Sequence, residues 1–305
     1  MKLRTLFFTG LSIMIASAAF TQTVPRDLAQ RYLKTGSLLY FPLKNAPFPH
    51  PARDNGYTYN GQFFPKARHY DNNTVAVFFP TQLALGETVD FVVYFHGWWN
   101  NLDSVLRTFK IVDQFIETKK NAVLVIPQGP RNAPDSFGGQ LEEQDGFKKM
   151  LDEIADILFH ISLTETRQVG NIILAGHSGA YRVMSFILLR GGYTDRIKEV
   201  YLFDALYGQT EKYAYWLDHS KGKLIDIYTP EGGTKYESEN LMADLTAWKI
   251  PFLSVGETAL TSEQLRDNRI IFISSQQEHN AVVSQTENFR RFLEASSLKI
   301  NPNLK

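Results

Sequence analysis

Ile172-Ile173-Leu174-Ala175-Gly176-His177-Ser178-Gly179-Ala180 is the stretch on which the reading of this chain turns. Four apolar residues without alternation fit a strand buried on both faces. Two glycines and a serine follow. A mostly apolar segment then runs to Arg190 and stops at Gly191-Gly192, as helices commonly stop at glycine. A serine in a sharp strand-to-helix turn needs small neighbours, because the backbone is crowded there. Gly176 and Gly179 supply them, while Ala180 stands where the usual G-x-S-x-G pattern has its last glycine. Such a turn lifts the hydroxyl out of the sheet and sets it at a helix N-terminus, where free N–H groups stabilise negative charge. The same five residues also fit an ordinary Gly/Ser turn. The strand before them and the helix after them favour Ser178 as a nucleophile.

Outward from this point the apolar runs repeat. They lie at 91–95, 122–126, 200–203 and 270–273, with one at 224–228 interrupted by Asp226. Helical periodicity fills the gaps. Leu102, Val105, Leu106, Phe109, Val112 and Ile116 recur at three and four, as do Phe147, Leu151, Ile154, Leu158 and Ile161. Each set is one apolar helix face. Residues 210–219 and 282–293 read as further helices. The alternation predicts an α/β fold, a mainly parallel central sheet with helices on both faces.

The domain reading has three parts. Residues 91–305 form the core, and residues 20–90 supply N-terminal strands, at 37–42 and 74–80, on long turn-rich connections packed against it. Residues 1–19 read as a signal peptide: Lys2 and Arg4, an apolar run over 6–18, and the small residues Ala16-Ser17-Ala18-Ala19, in the order a signal peptidase requires. An uncleaved anchor or a buried helix are the competing readings. The expectation is an exported protein, periplasmic or secreted, with its mature part starting near Phe20 and no membrane insertion thereafter.

Composition narrows the chemistry. The chain has 305 residues, 44% of them hydrophobic, ample for a core. Lys+Arg and Asp+Glu balance at 32 each, so nothing suggests a nucleic acid or an anionic membrane as partner. There is no cysteine, which excludes disulfides, thiolate catalysis and Cys-ligated zinc. Neither a phosphate-binding glycine loop nor the H-E-x-x-H zinc spacing occurs. No metal and no organic cofactor is expected.

In parallel sheets, chemistry gathers at the carboxyl ends of strands. After the run at 91–95 comes His96-Gly97-Trp98-Trp99-Asn100-Asn101. An acyl-transfer site needs two N–H groups for the oxyanion, one from the residue after the nucleophile and one from an early strand-to-helix loop. Here these are Gly179 and Trp98.

With these two loops in place, the chain resembles the α/β-hydrolase superfamily over about 91–293, with the leading strands extending the likeness to about Ser37. The resemblance implies a nucleophile, an acid and a histidine in that order, each at a strand end. It implies His279 as the base, since that residue follows the last strand and precedes the C-terminal helix. His177, beside Ser178, is expected to face the scaffold, and His219 to be solvated. The acid is Asp204, directly after the run at 200–203, or alternatively Glu231 in Pro230-Glu231-Gly232-Gly233. Most relatives carry the acid after the later strand, where Glu231 lies; lipases of the pancreatic type carry it after the earlier one. Asp204 is preferred, because a carboxylate among apolar residues is costly to bury without a partner. Asp226, inside a strand, ranks third.

Trp99, Tyr181 and Tyr207 are expected to line an aromatic mouth. The loop at 127–146 is a candidate wall and the segment 231–261 a candidate cap. The predicted activity is hydrolysis of a small-molecule or polymer-linked carboxylic ester through an acyl-enzyme. Two rivals stand beside it: a cell-wall-directed serine amidase or peptidase, and a non-catalytic envelope binding protein on the same scaffold.

Overall fold

A computed structural model describes residues 23–304. The expected leader at 1–19 lies outside these residues. The strands are β1 (Gly36–Pro42), β2 (Tyr57–Tyr59), β3 (Gln62–Phe64), β4 (Thr74–Pro80), β5 (Val89–Phe95), β6 (Val123–Pro127), β7 (Val169–His177), β8 (Ile197–Phe203), β9 (Lys223–Tyr228), β10 (Leu253–Gly256) and β11 (Ile270–Ser274). Nine of them make one sheet in the order β1-β4-β6-β5-β7-β8-β9-β11-β10. Pairing is parallel from β6 through β10, and β4 runs antiparallel to both of its neighbours. Every residue of β4 and β6 is buried. Both alternating sets of side chains therefore meet apolar partners, which is why these runs show no period of two.

Two core layers cover the sheet. Phe91, Val93 and Phe95 of β5 pack with the helices Gly146–His160, Tyr181–Arg190, Thr210–His219 and Lys235–Ala247. The intervening Val92 and Tyr94 pack with the helices Leu102–Arg107, Ile111–Glu117 and Asn288–Glu294 on the other face. The fold is thus a mostly parallel sheet between two helical layers. No helix among the described residues is long and apolar enough to cross a membrane.

Three details depart from the sequence reading. The single helix expected over 102–116 is two, separated by Lys110 at φ +52°. The break lets both Phe109 and Ile111 be buried, which one straight helix cannot do for residues two apart. The helix expected over 282–293 breaks in the same way at Glu287. The segment 231–261 is no cap. Its helix Lys235–Ala247 sets Leu241 and Leu245 into the core, and β10 forms the sheet edge beside β11. In the turn-dense region before β4, Asn60 and Gly61, both at positive φ, join β2 and β3 into a hairpin; this is the commonest two-residue hairpin chemistry.

Candidate active site

The strand order creates the site. The chain leaves β5 for β6 on one side and returns to β7 on the other. The carboxyl ends of β5 and β7 therefore diverge into a crevice at the point where the winding reverses, the place where ligands bind in open α/β sheets. Register aligns the neighbouring ends: Phe95 faces Gly176, His177 faces Phe203, and Phe203 faces Ile227. Gly97, Ser178, Asp204 and Thr229 emerge within a residue or two of those pairs, along one edge.

Ser178 has φ +56° and opens a 3-10 turn, Ser178–Ala180, that runs into the helix Tyr181–Arg190. A left-handed non-glycine residue costs about 1–2 kcal/mol. The packing around the turn holds it there. Ala180 is helical at φ −68°, so its position makes no demand for glycine. The crowded place is Gly176, where a Cβ would lie 2.4 Å from Met184 Sδ and 2.7 Å from Ala180 Cβ. Gly97 is equally tight, since a Cβ there would meet Ser178 Cβ at 2.5 Å and the His177 carbonyl at 2.7 Å. The loop after β5 thus lies directly on the serine turn. Gly179, second in that turn, has no helical acceptor for its N–H. The Trp98 N–H takes no acceptor among the described residues.

His96 fixes this loop. Its Nε2 accepts the Gly129 N–H at 3.0 Å, which leaves the proton on Nδ1 to donate to the Gly97 carbonyl at 2.9 Å. Burial pushes its pKa down to about 4, so the ring is neutral at pH 7 and the tautomer follows from its partners.

Asp204, fully buried and at φ +45°, accepts from His279 Nδ1 at 2.6 Å, from the Thr229 N–H at 3.0 Å and from Thr229 Oγ1 at 2.8 Å. The Thr234 hydroxyl donates to Oδ1, the oxygen that also accepts the Thr229 N–H. Burial alone would raise the Asp204 pKa; the donors from His279, Thr234 and Thr229 outweigh it and hold the carboxyl below its usual range. With Nδ1 given to Asp204, His279 Nε2 is left for the cavity. The His279 carbonyl is gripped by His177 Nε2 at 3.0 Å, and the two rings lie 4.5 Å apart. Burial, reinforced by His279, pushes His177 down to about 3, so it serves as a neutral donor. No hydrogen bond joins Ser178 to His279 among the described residues, a common state of such sites without substrate.

Ser178, His279, Trp98, Trp99, Tyr181 and Tyr207 all line one cavity of about 630 Å³. The structure therefore brings every predicted site residue to the wall of this cavity except Asp204, which is buried and reaches it through His279, and Glu231. Gly179 lines the same cavity through its backbone. Glu231 is exposed on the loop after β9. The carboxylate that meets His279 is Asp204, because β8 ends closer to the serine turn and Thr229 of the later loop turns inward to support it. Trp98 and Trp99 are braced from behind by Tyr59 and Phe64 of the β2–β3 hairpin, at ring distances of 5.2 and 5.5 Å. His177, Thr229 and Thr234 carried no signal in the sequence beyond adjacency, since their work depends on side-chain direction. A larger depression of about 820 Å³ lies at the opposite strand ends. Arg269 and Lys223 in its wall are already bonded to backbone carbonyls, and it lies far from this constellation.

The sheet order, the strand-end turn and the loop that covers it define the α/β-hydrolase fold. No family model and no curated protein matches this chain by sequence. Among solved structures, the chain is similar to a fluorophosphonate-binding serine hydrolase of Staphylococcus aureus, at 11% identity and TM-score 0.51 over 86% of this chain and 99% of that one. It is also similar to a feruloyl esterase module from Clostridium thermocellum, solved in complex with sinapinate, at 11% identity and TM-score 0.50 over 95% and 96% of the two chains. At that identity the likeness is one of fold.

Proposed function

We propose that this chain is a serine hydrolase that cleaves carboxylic esters, small or polymer-linked, through an acyl-enzyme. The observation that carries the reading is the 2.6 Å bond between His279 Nδ1 and the buried Asp204, with Ser178 held at a left-handed turn in the same cavity. An ionised carboxylate at Nδ1 orients the imidazole and stabilises the cation formed when Nε2 takes a proton. Asp204 is equipped for that role, with two threonines satisfying its remaining lone pairs.

In the reading, His279 removes the Ser178 proton as Oγ bonds to the ester carbon. The oxyanion is held by the N–H groups of Trp98 and Gly179. The C–O bond then breaks, the leaving oxygen takes the proton from His279, and a water molecule repeats the sequence in reverse to free the acid. The basic, apolar and small-residue order of residues 1–19 supports export of the mature chain.

The test is hydrolysis of 4-nitrophenyl acetate and butanoate by the mature protein, with fluorophosphonate labelling alongside. Ser178→Ala and His279→Ala should each lower kcat by at least about 10⁴-fold, as loss of nucleophile or base does in serine hydrolases, with circular dichroism unchanged. A wild type that neither turns over nor labels would refute the reading.

A further inference from the structure

Ser136 stands in the wall of the cavity and takes no part in the proton transfers above. It belongs to the loop after β6, which is held from two sides. Asp135, buried, pairs with Arg53 at 2.8 Å and accepts the Phe137 N–H at 2.9 Å. Glu142, also buried, accepts the Gly138 N–H at 2.7 Å and the Arg182 guanidinium through both oxygens at 2.9 Å. A hydroxyl set between two such anchors is placed precisely enough to select a ligand atom.

Ser136 Oγ accepts from Trp98 Nε1 at 2.7 Å. A hydroxyl that accepts still has its own proton to donate, and the bond it receives polarises that proton. The oxygen lies against Gly179: a Cβ on that glycine would be 2.9 Å from Ser136 Oγ. Ser136 is thus on the oxyanion side of the nucleophile. The Tyr181 phenol interacts with the same hydroxyl and lines the same cavity. The leaving oxygen of an ester has to lie against His279 to receive its proton. The wall beside Gly179 is therefore left for the acyl group.

We propose that the hydroxyls of Ser136 and Tyr181 form a polar subsite for acyl groups that carry an oxygen acceptor (hydroxy, alkoxy or oxo) close to the scissile carbonyl. The inference rests on the esterase reading above and adds a substrate class to it. The neighbouring walls carry the aromatic side chains of Trp98, Trp99 and Tyr207. A hydroxyl pair with one proton left to give discriminates by what an incoming chain can accept, since a few placed polar groups in an apolar pocket fix orientation and specificity.

The test compares 4-nitrophenyl methoxyacetate with 4-nitrophenyl butanoate, which differ by an oxygen in place of a methylene. The readout is the ratio of their kcat/KM values, normalised to the wild-type ratio, so that the intrinsic reactivity of the two esters cancels. Ser136→Ala and Tyr181→Phe should each lower the ratio about three- to tenfold, the worth of one neutral hydrogen bond, and Ser136→Thr should keep it. If Ser136→Ala does not fold, Tyr181→Phe carries the test alone. A ratio unchanged in both variants, with turnover of the two esters falling together, would reduce Ser136 to a prop for Trp98 and overturn the proposal. A wild type that hydrolyses neither ester and takes no fluorophosphonate label would instead remove the esterase reading itself.

Discussion

A carboxylate with no exposed surface is stable only when its charge is answered from several directions. Asp204 meets that condition with His279, Thr229 and Thr234, and Glu231 on its exposed loop has no such surroundings. This contrast separates the two acids by experiment. Asp204→Asn should lower kcat by roughly 10⁴-fold, the scale seen when a triad acid no longer holds the base in its working tautomer. Glu231→Gln should stay within about twofold of wild type. Steady-state kinetics on 4-nitrophenyl butanoate decide it, and the reverse pattern would return the acid to the later strand end. In the sequence the choice rested on an aspartate among Phe203, Ala205 and Leu206 needing a partner and on the glycines beside Glu231, which suggest a mobile turn. The threonine partners of Asp204 were not legible, because Thr229 and Thr234 lie in the very loop that made Glu231 plausible.

At the scale of elements, the serine turn shows which small residues the geometry demands. The alanine at 180 looked like a weakened motif. In the structure it is already helical and buried, and the steric demand has moved to Gly176, which faces Met184 and Ala180 itself. Ala180→Gly should therefore change stability by about 1 kcal/mol or less, the ordinary helix cost of glycine. Gly176→Ala should destabilise by about 1–3 kcal/mol through overpacking and lower activity with it. Urea unfolding of both variants measures the difference. A larger loss from Ala180→Gly than from Gly176→Ala would mean that the turn is held by position 180 after all. The hairpin β2–β3 belongs to this scale too. Its Asn60-Gly61 turn was readable, but its purpose was not, since bracing Trp98 and Trp99 is a contact between segments about forty residues apart.

Across the whole molecule, three buried ionisable groups give stability a definite pH dependence. His96 and His177 are pushed down to about 4 and about 3 by burial, against about 6.5 when unfolded. At pH 5 the unfolded chain binds a proton at each that the folded chain does not, so stability rises with pH. Asp226 works the other way. Burial, with Asp204 adding to it, pushes its carboxyl up to about 7, so the folded chain holds a proton that the unfolded chain has lost, and stability falls as pH rises through this range. Two protons against one leave a net gain of about 1.4 kcal/mol per pH unit near pH 5 from these groups. Asp226→Asn removes the opposing proton and should steepen that slope to about 2.7 kcal/mol per unit. Urea midpoints between pH 4.5 and 6 measure it, and a slope unaltered by Asp226→Asn would show that Asp226 ionises as an ordinary carboxyl.

The α/β class, the strand runs of β1, β4 through β9 and β11, the serine turn and the place of His279 after the last strand were legible in the sequence. Each is a local matter: an unbroken apolar run, a 3.6-residue period, two glycines beside a serine, and a position along the chain. Other features came only with the packing of distant segments. It made a break at Lys110, because Phe109 and Ile111 both had to be buried. It turned the presumed cap at 231–261 into a core helix and an edge strand. It set Asp204, and not Glu231, against His279, and it brought Ser136 of one strand-end loop against Trp98 of another. Those outcomes depend on which strand ends lie side by side and which way their side chains point. Neither is recorded in any window of sequence short enough to read as a period or a motif.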